Sequence, residues 1–222
     1  TPLYSSAASD VYKRQGEDVE LRDATEGVFA TRDAGPAVSV STSMSLGGDD
    51  VGNYVLEQPE LTGRIAVRAL QVEGAEVVER AYDGTTAATV RGASLVGMVD
   101  GDDVTLVDAG RGTYASAGVG DDVDVVTAMS LVGDDAGNYA VVQPALSGAI
   151  TPLMVTIVGA EVVTKVVDGT HAAEVVGARL RGGVPGDDVA LAGADEGRFA
   201  SSEVGRDIDV ATAMSLIGDD AA

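Results

Sequence analysis

Pairs of aspartates that directly follow a glycine are the residues in this sequence best suited to chemistry. They stand at Asp49-Asp50, Asp102-Asp103, Asp121-Asp122, Asp134-Asp135, Asp187-Asp188 and Asp219-Asp220. Carboxylates gathered at loop tips can chelate Ca²⁺, which takes about six to eight oxygen ligands. Gly-Asp is also common turn chemistry, because glycine supplies positive φ and aspartate bonds to nearby backbone.

These two interpretations differ in what they predict for the aspartates. The calcium hypothesis assigns the metal to Asp102, Asp103, Asp134, Asp135, Asp187 and Asp188. The turn hypothesis leaves the carboxylates bonded to backbone amides. We favour turns, because the spacing fits neither an EF-hand loop nor a glycine-rich calcium repeat.

Catalytic side chains are scarce. His171 is the only histidine, and there is no cysteine, which removes disulfides, thiolate nucleophiles and cysteine-type zinc sites. One histidine cannot serve a catalytic triad in each part of a repetitive chain. No glycine-rich loop leads from a strand into a helix to hold a phosphate. We therefore expect no enzymatic activity and, apart from the calcium alternative, no cofactor.

The charge balance excludes two classes of partner. Asp and Glu total 36 against 14 Lys and Arg, for a net charge of −22. Such a chain repels nucleic acid and anionic membrane surfaces. No apolar run approaches the ~18 residues of a membrane-spanning helix, so we expect no membrane insertion within this segment.

A strict internal period organises the sequence. Ala-Met-Ser-Leu at 128–131 returns at 213–216, 85 residues later. Gly52-Asn53-Tyr54 and Gly137-Asn138-Tyr139 have the same separation, as do many other segments. No insertion or deletion is needed, which indicates a tandem-repeat protein.

The period divides the chain into a tail and three copies. The expected parts are a non-native tail (1–15), the C-terminal part of a first copy (16–65), a complete second copy (66–150) and a truncated third copy (151–222). The tail matches no other copy and resembles a translated sequencing adapter at the end of a metagenomic fragment. We expect only the second copy to fold independently, because each partial copy lacks strands that the other retains.

Each copy has the pattern of an all-β domain. Asp122-Val123-Asp124-Val125 alternates polar and apolar residues, and the apolar run 126–131 continues it. Further short strands are expected at 104–107 and 139–142, and extended chain at 155–167. Gly-Asp, Asp-Gly and Gly-Asn steps separate them. The pattern favours antiparallel β-sandwiches.

One motif favours immunoglobulin-like sandwiches among these. Asp135, Gly137 and Tyr139 have the spacing of a tyrosine corner, in which the tyrosine hydroxyl bonds back to upstream backbone. A plain turn before a strand with a core tyrosine is the alternative. The fold prediction is therefore all-β, with tandem 85-residue antiparallel, immunoglobulin-like sandwiches.

A family resemblance rests on the motifs that recur. The first of these motifs in the complete copy is Tyr82-Asp83-Gly84, which is followed by Gly101-Asp102-Asp103-Val104, Gly112-Thr113-Tyr114 and Gly137-Asn138-Tyr139. This sequence resembles the YDG repeat of bacterial filamentous-haemagglutinin-like adhesins and other large surface proteins. The third copy departs at the motif itself, with Val167-Asp168-Gly169.

The resemblance implies an extracellular role at the bacterial cell surface and no catalytic residues. We expect the copies to form a structural stalk or spacer that contacts neighbouring repeats. A host or cell-surface ligand would then be bound by domains outside this segment. The alternative is a ligand-binding β-sandwich, for a glycan or a protein, with calcium as a candidate stabilising ion.

Overall fold

The computed structural model describes residues 16–221, and the expected tail at 1–15 lies outside the described residues. Short 3₁₀ turns occur at Val51–Asn53 and Ala136–Asn138, and all other elements in the described part are strands. The all-β prediction is confirmed. No helix within the described residues is long and apolar enough to cross a membrane.

The strands are short and follow the glycine-rich turns. The first copy contributes β1 (Glu20–Arg22), β2 (Gly27–Phe29), β3 (Gly35–Thr42), β4 (Ser45–Gly47) and β5 (Leu61–Ile65). The second contributes β6 (Arg68–Glu73), β7 (Glu76–Val77), β8 (Arg80–Ala81), β9 (Ala87–Arg91), β10 (Ser94–Val96), β11 (Thr105–Val107), β12 (Arg111–Tyr114), β13 (Gly120–Val126), β14 (Ser130–Val132), β15 (Tyr139–Val142) and β16 (Leu146–Thr151). The third contributes β17 (Thr156–Val158), β18 (Glu161–Val162), β19 (Ala172–Val176), β20 (Arg179–Arg181), β21 (Ala190–Ala192), β22 (Glu196–Phe199), β23 (Val210–Ala211) and β24 (Ser215–Ile217).

One compact unit runs to Gln71 and adds Val96–Val107 and Leu131–Val142. Within it β1 pairs with β4, and β3 lies between β2 and β5, all antiparallel. β15 pairs in parallel with the start of β6, from Tyr139 opposite Arg68 to Val142 opposite Gln71. Leu70 on β6 is fully buried.

The other unit holds Val72–Leu95, Asp108–Ser130 and the residues from Gln143 onward. Its largest sheet has the order β7-β9-β12-β13-β16-β8. Ala88, Tyr114, Val125 and Ile150 form the core on one face, because alternate residues of a strand point to the same side of a sheet. The third copy contributes β18-β19-β22-β23 and the pairs β17-β20 and β21-β24.

The pairing corrects the expectation of purely antiparallel sheets. Besides β15 with β6, β16 pairs in parallel with β8, with Ile150 opposite Arg80. Parallel neighbours require a long crossover connection, and the 85-residue copy is long enough to provide one. Each unit also takes segments of the middle copy, so the sequence period does not mark the edges of the compact units.

A glutamine explains why the apolar run at 126–131 is not one strand. Gln143 Oε1 accepts from the Thr127 hydroxyl (2.8 Å) and the Met129 amide (3.1 Å), and its Nε2 donates to the Met129 carbonyl (2.7 Å). The side-chain amide takes the hydrogen bonds that a neighbouring strand would otherwise make. β13 therefore ends at Val126, and β14 begins at Ser130. In the expected extended chain at 155–167, strand structure ends at Val162.

Candidate functional site

Two of the predicted aspartate pairs meet in the middle copy and bond to each other's backbone. The Asp103 amide donates to Asp135 Oδ2 (2.9 Å), and the Asp134 amide donates to Asp103 Oδ2 (3.3 Å). The Asp135 amide donates to the Asp103 carbonyl (3.1 Å). We call these three bonds the aspartate clasp.

The clasp is present in all three copies. In the first copy the Asp18 amide donates to Asp50 Oδ2 (2.8 Å), the Asp49 amide to Asp18 Oδ2 (3.3 Å) and the Asp50 amide to the Asp18 carbonyl (3.1 Å). The corresponding bonds of the third copy measure 2.8, 3.4 and 3.2 Å and join Asp188 with Asp219 and Asp220. A bond set that recurs at every copy shows that these carboxylates organise turns.

The glycine before each pair is required by the clasp. Gly133 has φ +126°, and a Cβ there would lie 2.2 Å from the Asp103 carbonyl oxygen. Gly48 and Gly218 have φ +112° and +120° and equally close carbonyls. Only glycine adopts such a conformation at so close an approach without strain.

The structure thus places the calcium candidates in several environments. Asp103, Asp134 and Asp135 belong to one clasp and Asp188 to another, whereas Asp102 and Asp187 lie beside them with other partners. Asp135 Oδ2 and Asp103 Oδ2 accept hydrogen bonds from backbone amides, as the turn hypothesis predicts. Across residues 16–221, no three or more side chains of the metal-binding types converge as a candidate metal site.

Tyr139 lies against the middle clasp and is buried, with 7% exposure. Its hydroxyl donates to Asp102 Oδ2 (2.5 Å) and accepts from the Val99 amide (3.1 Å). The hydrogen bond to Asp102 and burial both raise the pKa of the Tyr139 phenol above 10.0. The expected buried tyrosine with a backbone partner is confirmed, but that partner is 40 residues upstream and the strand is parallel to β6.

An arginine that sequence reasoning missed joins the first copy to this site. Arg32 Nη2 lies 3.2 Å from Asp102 Oδ1 and 3.0 Å from Asp135 Oδ1. The Asp102 side chain is only 6% exposed, and its Oδ1 makes no hydrogen bond to the described residues. The ion pair with Arg32 therefore compensates a largely buried charge, although the guanidinium itself is exposed.

Asn138 adds a second tie between the first and second copies. Its Oδ1 accepts from the Ala34 amide (2.7 Å), and its Nδ2 donates to Asp33 Oδ1 (3.2 Å). Hydrogen bonds from Thr31 first and Asn138 second lower the pKa of Asp33. The loop between β2 and β3 is thus fixed to the Gly-Asn-Tyr turn of the next copy.

The tyrosine of the Tyr-Asp-Gly motif makes the corresponding tie to the third copy. The Tyr82 hydroxyl donates to Asp187 Oδ1 (3.2 Å), and burial first and Asp187 second raise the pKa of Tyr82. Asp187 is one period after Asp102. The same acidic position therefore contacts the preceding copy in both cases, through an ion pair with Arg32 in one and a hydrogen bond from Tyr82 in the other.

The aspartate of the Tyr-Asp-Gly motif stabilises its own turn through hydrogen bonds that we call the brace. Asp83 Oδ1 accepts from the Thr85 amide (2.9 Å) and hydroxyl (2.8 Å) and from the Arg80 guanidinium. Arg80 also stands over the Tyr114 ring, 5.3 Å from its centroid, a distance typical of a cation–π contact.

The third copy repeats this brace with substituted residues. Lys165 Nζ donates to Asp168 Oδ1 (2.9 Å) and lies 5.8 Å from the centroid of the Phe199 ring. Bonds from Lys165 and Thr170 lower the pKa of Asp168 to about 2. The signal for this brace was in the sequence, because both copies have a cation three residues before the aspartate and an aromatic residue 31 residues after it.

His171 contacts the backbone of β22. It is half-buried, and its Nδ1 lies 2.9 Å from the Phe199 carbonyl oxygen. The Phe199 amide in turn donates to the His171 carbonyl (2.8 Å). These contacts hold the start of β19 against the end of β22.

Comparison with known proteins identifies the repeated unit. A family model for the YDG domain matches residues 66–146 and again residues 151–222. No curated protein and no solved structure matches the chain. The two matched segments contain the clasps of the second and third copies, both braces and the Tyr82 tie, and together they cover more than half of the sequence. The chain therefore belongs to the YDG domain family.

Proposed function

We propose that these YDG repeats are non-catalytic spacers in the stalk of a bacterial cell-surface adhesin. In this role the repeats act outside the cell and hold a separate binding domain at a distance from its surface. Their partners are the neighbouring repeats of the same chain. The proposal rests on the family membership and on one structural observation. Side-chain hydrogen bonds and an ion pair, which we call the polar ties, join consecutive copies.

The ties are the observation that carries the proposal. Arg32 and Asn138 connect the first copy to the second, and Tyr82 connects the second to the third. Copies joined only by flexible linkers would move independently. Hydrogen bonds and ion pairs between consecutive copies instead limit bending. A spacer needs this stiffness to hold another domain at a distance from the cell surface.

The polar chemistry near the ties supports a mechanical role. The carboxylates of the clasps and braces bond to backbone amides or to cations of the same chain. Buried polar groups that are satisfied internally fix one geometry. The high negative charge also keeps a long array soluble and limits nonspecific association.

Double electron–electron resonance between two spin labels tests the stiffness of the junction between the first and second copies. The chain has no cysteine, so Val55→Cys and Val132→Cys, both exposed positions, place one label on each of two consecutive copies. We expect a narrow distance distribution that Arg32→Ala broadens, because the ion pair with Asp102 is lost.

Arg22→Ala is the matched control. Arg22 pairs with Glu20 of its own copy, so its removal should leave the distribution unchanged. A broad distribution in the doubly labelled chain before any further substitution would contradict the spacer proposal.

A further inference from the structure

The chain enters and leaves the second copy through strands that have parallel neighbours. β6 is the first strand of this copy and pairs in parallel with β15, and β16 is the last strand and pairs in parallel with β8. β16 is also held by β13 on its other side. Since Arg68 begins β6 and Thr151 ends β16, tension along the chain reaches this copy through these two strands.

An antiparallel pair of successive strands opens easily under tension. In β2 with β3, Gly27 at the start of the first strand lies opposite Thr42 at the end of the second. The chain therefore enters and leaves at the same end of the pair. Tension pulls these two neighbouring ends apart, and the hydrogen bonds between the strands break one after another.

The parallel pair of β6 with β15 is loaded differently. The chain enters β6 at Arg68, which lies opposite Tyr139, and leaves β15 at Val142, which lies opposite Gln71. Arg68 and Val142 are at opposite ends of the pair, so tension slides one strand along the other. The hydrogen bonds of a parallel pair are evenly spaced, and the sliding loads them together.

Side chains of the two strands oppose the same sliding motion. Leu70 of β6 is fully buried, and Tyr139 of β15 is 7% exposed. The Tyr139 hydroxyl donates to Asp102 Oδ2 and accepts from the Val99 amide. A shift of one residue would move every side chain of a strand to the other face, so the strands cannot slide in small steps that each keep the packing.

We propose that the parallel pairs of the second copy are force-bearing elements, with β6 and β15 as the longer pair. Four residue pairs join these two strands, and two join β8 with β16. The use of this resistance rests on the proposed spacer role, because a stalk transmits any pull on the domain that it carries. Forced unfolding is governed by the unfolding rate, so the strand pairs that must break first set the force that the copy withstands.

Pulling on the full chain with optical tweezers, through two introduced cysteines, tests the proposal. The chain has no cysteine, and Val67, Gly137 and Val142 are exposed. Attachment at Val67→Cys and Val142→Cys loads opposite ends of the pair, whereas attachment at Val67→Cys and Gly137→Cys loads the same end. We expect the first geometry to need about two- to fourfold more force at one loading rate, since four residue pairs share the load in place of one.

Two core variants separate the loaded strand pair from the general stability of the copy. Leu70→Ala removes a fully buried side chain of β6 and should raise the rupture rate at constant force in the first geometry at least about tenfold. Val90→Ala is the matched control, because Val90 is also buried but lies on β9, outside the loaded pair. It should leave that rupture rate within about twofold of the original.

The comparison of the two geometries needs no core substitution, so it decides the matter even where Leu70→Ala does not fold. Equal forces in the two geometries overturn the proposal, and so does a rupture rate that Val90→Ala raises as much as Leu70→Ala. Either result, with a narrow distance distribution between the spin labels at positions 55 and 132, leaves the spacer proposal standing. A broad distribution together with unequal forces contradicts the spacer proposal and supports the force-bearing pair.

Discussion

The second and third copies have closely similar sequences, yet the same residues form different lengths of strand. β13 spans Gly120–Val126, whereas its equivalent, β23, is reduced to Val210–Ala211. β13 lies between two neighbours, whereas β23 pairs only with β22 in the described structure. A strand edge without a partner leaves its backbone groups to water. Strand length in these repeats is therefore set by long-range pairing.

The burial of apolar side chains also depends on neighbouring strands. Val125 is 4% exposed in the second copy, and its equivalent, Val210, is half-buried. The local turns do not change, since the clasp and the Asp-Gly-Thr brace have nearly the same distances in both copies. The turns therefore depend on the local sequence, whereas strand length and burial depend on a neighbouring strand.

The largest difference between the copies should appear at their aromatic core position. Tyr114→Ala removes a side chain that is 2% exposed and should cost about 3–5 kcal/mol of unfolding free energy. Phe199→Ala should cost about 1–3 kcal/mol, because less apolar area leaves the core. Hydrogen exchange followed by mass spectrometry resolves the two copies. Equal losses would show that the third copy is as tightly packed as the second.

The clasp glycines give the next largest effect. Gly133→Ala forces a Cβ to within 2.2 Å of the Asp103 carbonyl oxygen at φ +126° and should cost on the order of 2–4 kcal/mol. Gly218→Ala makes the same clash in the third copy and should melt that copy alone. Gly137→Ala meets no atom within 4 Å and is the control. If Gly133→Ala left the free energy of unfolding unchanged, the clasp would be easily deformed.

Tyr139→Phe removes the hydroxyl that lies against the clasp of the second copy. The loss of the hydroxyl leaves Asp102 Oδ2 and the Val99 amide without this partner, which should cost roughly 0.5–1.5 kcal/mol. Tyr54→Phe should cost less, because Tyr54 is only half-buried. Chemical denaturation measures both, and an unchanged midpoint for Tyr139→Phe would reduce this tyrosine to a packing group.

Acid should weaken the brace of the third copy. The pKa of Asp168 is 3.8 ordinarily and about 2 beside Lys165 and Thr170. Since the folded value is the lower one, the stability from Asp168 is present above pH 3.8 and is lost as the pH falls through about 2. Asp168→Asn should remove this acid dependence for the amides near Thr170. An unaltered acid dependence would assign it to other carboxylates.

Calcium should have the smallest effect on either copy. The clasp carboxylates bond to backbone amides in the second and third copies alike, so we expect no change of Tm when calcium is added and then removed with EDTA. A dose-dependent rise that EDTA reverses would instead support the calcium hypothesis for Asp102, Asp103, Asp134 and Asp135. Asp103→Asn would then abolish the rise.

Local chemistry made part of this structure predictable from sequence. The Gly-Asp-Asp turns and the buried Tyr139 follow from glycine at positive φ and from an apolar ring with a polar tip. The sequence did not predict the parallel pairing of β15 with β6, because strand partners are chosen by three-dimensional packing. It also did not predict Arg32, since an isolated cation gives no sign that its partner is 70 residues away.

The tracing of the chain through its two units bears on how such arrays change length during evolution. The chain passes between the units after residues 71, 95, 107, 130 and 142, so a deletion of arbitrary length would leave strands without partners. Unequal recombination between copies removes or adds a whole period and rejoins equivalent positions wherever the crossover falls. Genes for these repeats can therefore gain or lose copies without a preferred breakpoint, and the length of the array can vary while every remaining clasp keeps its partner.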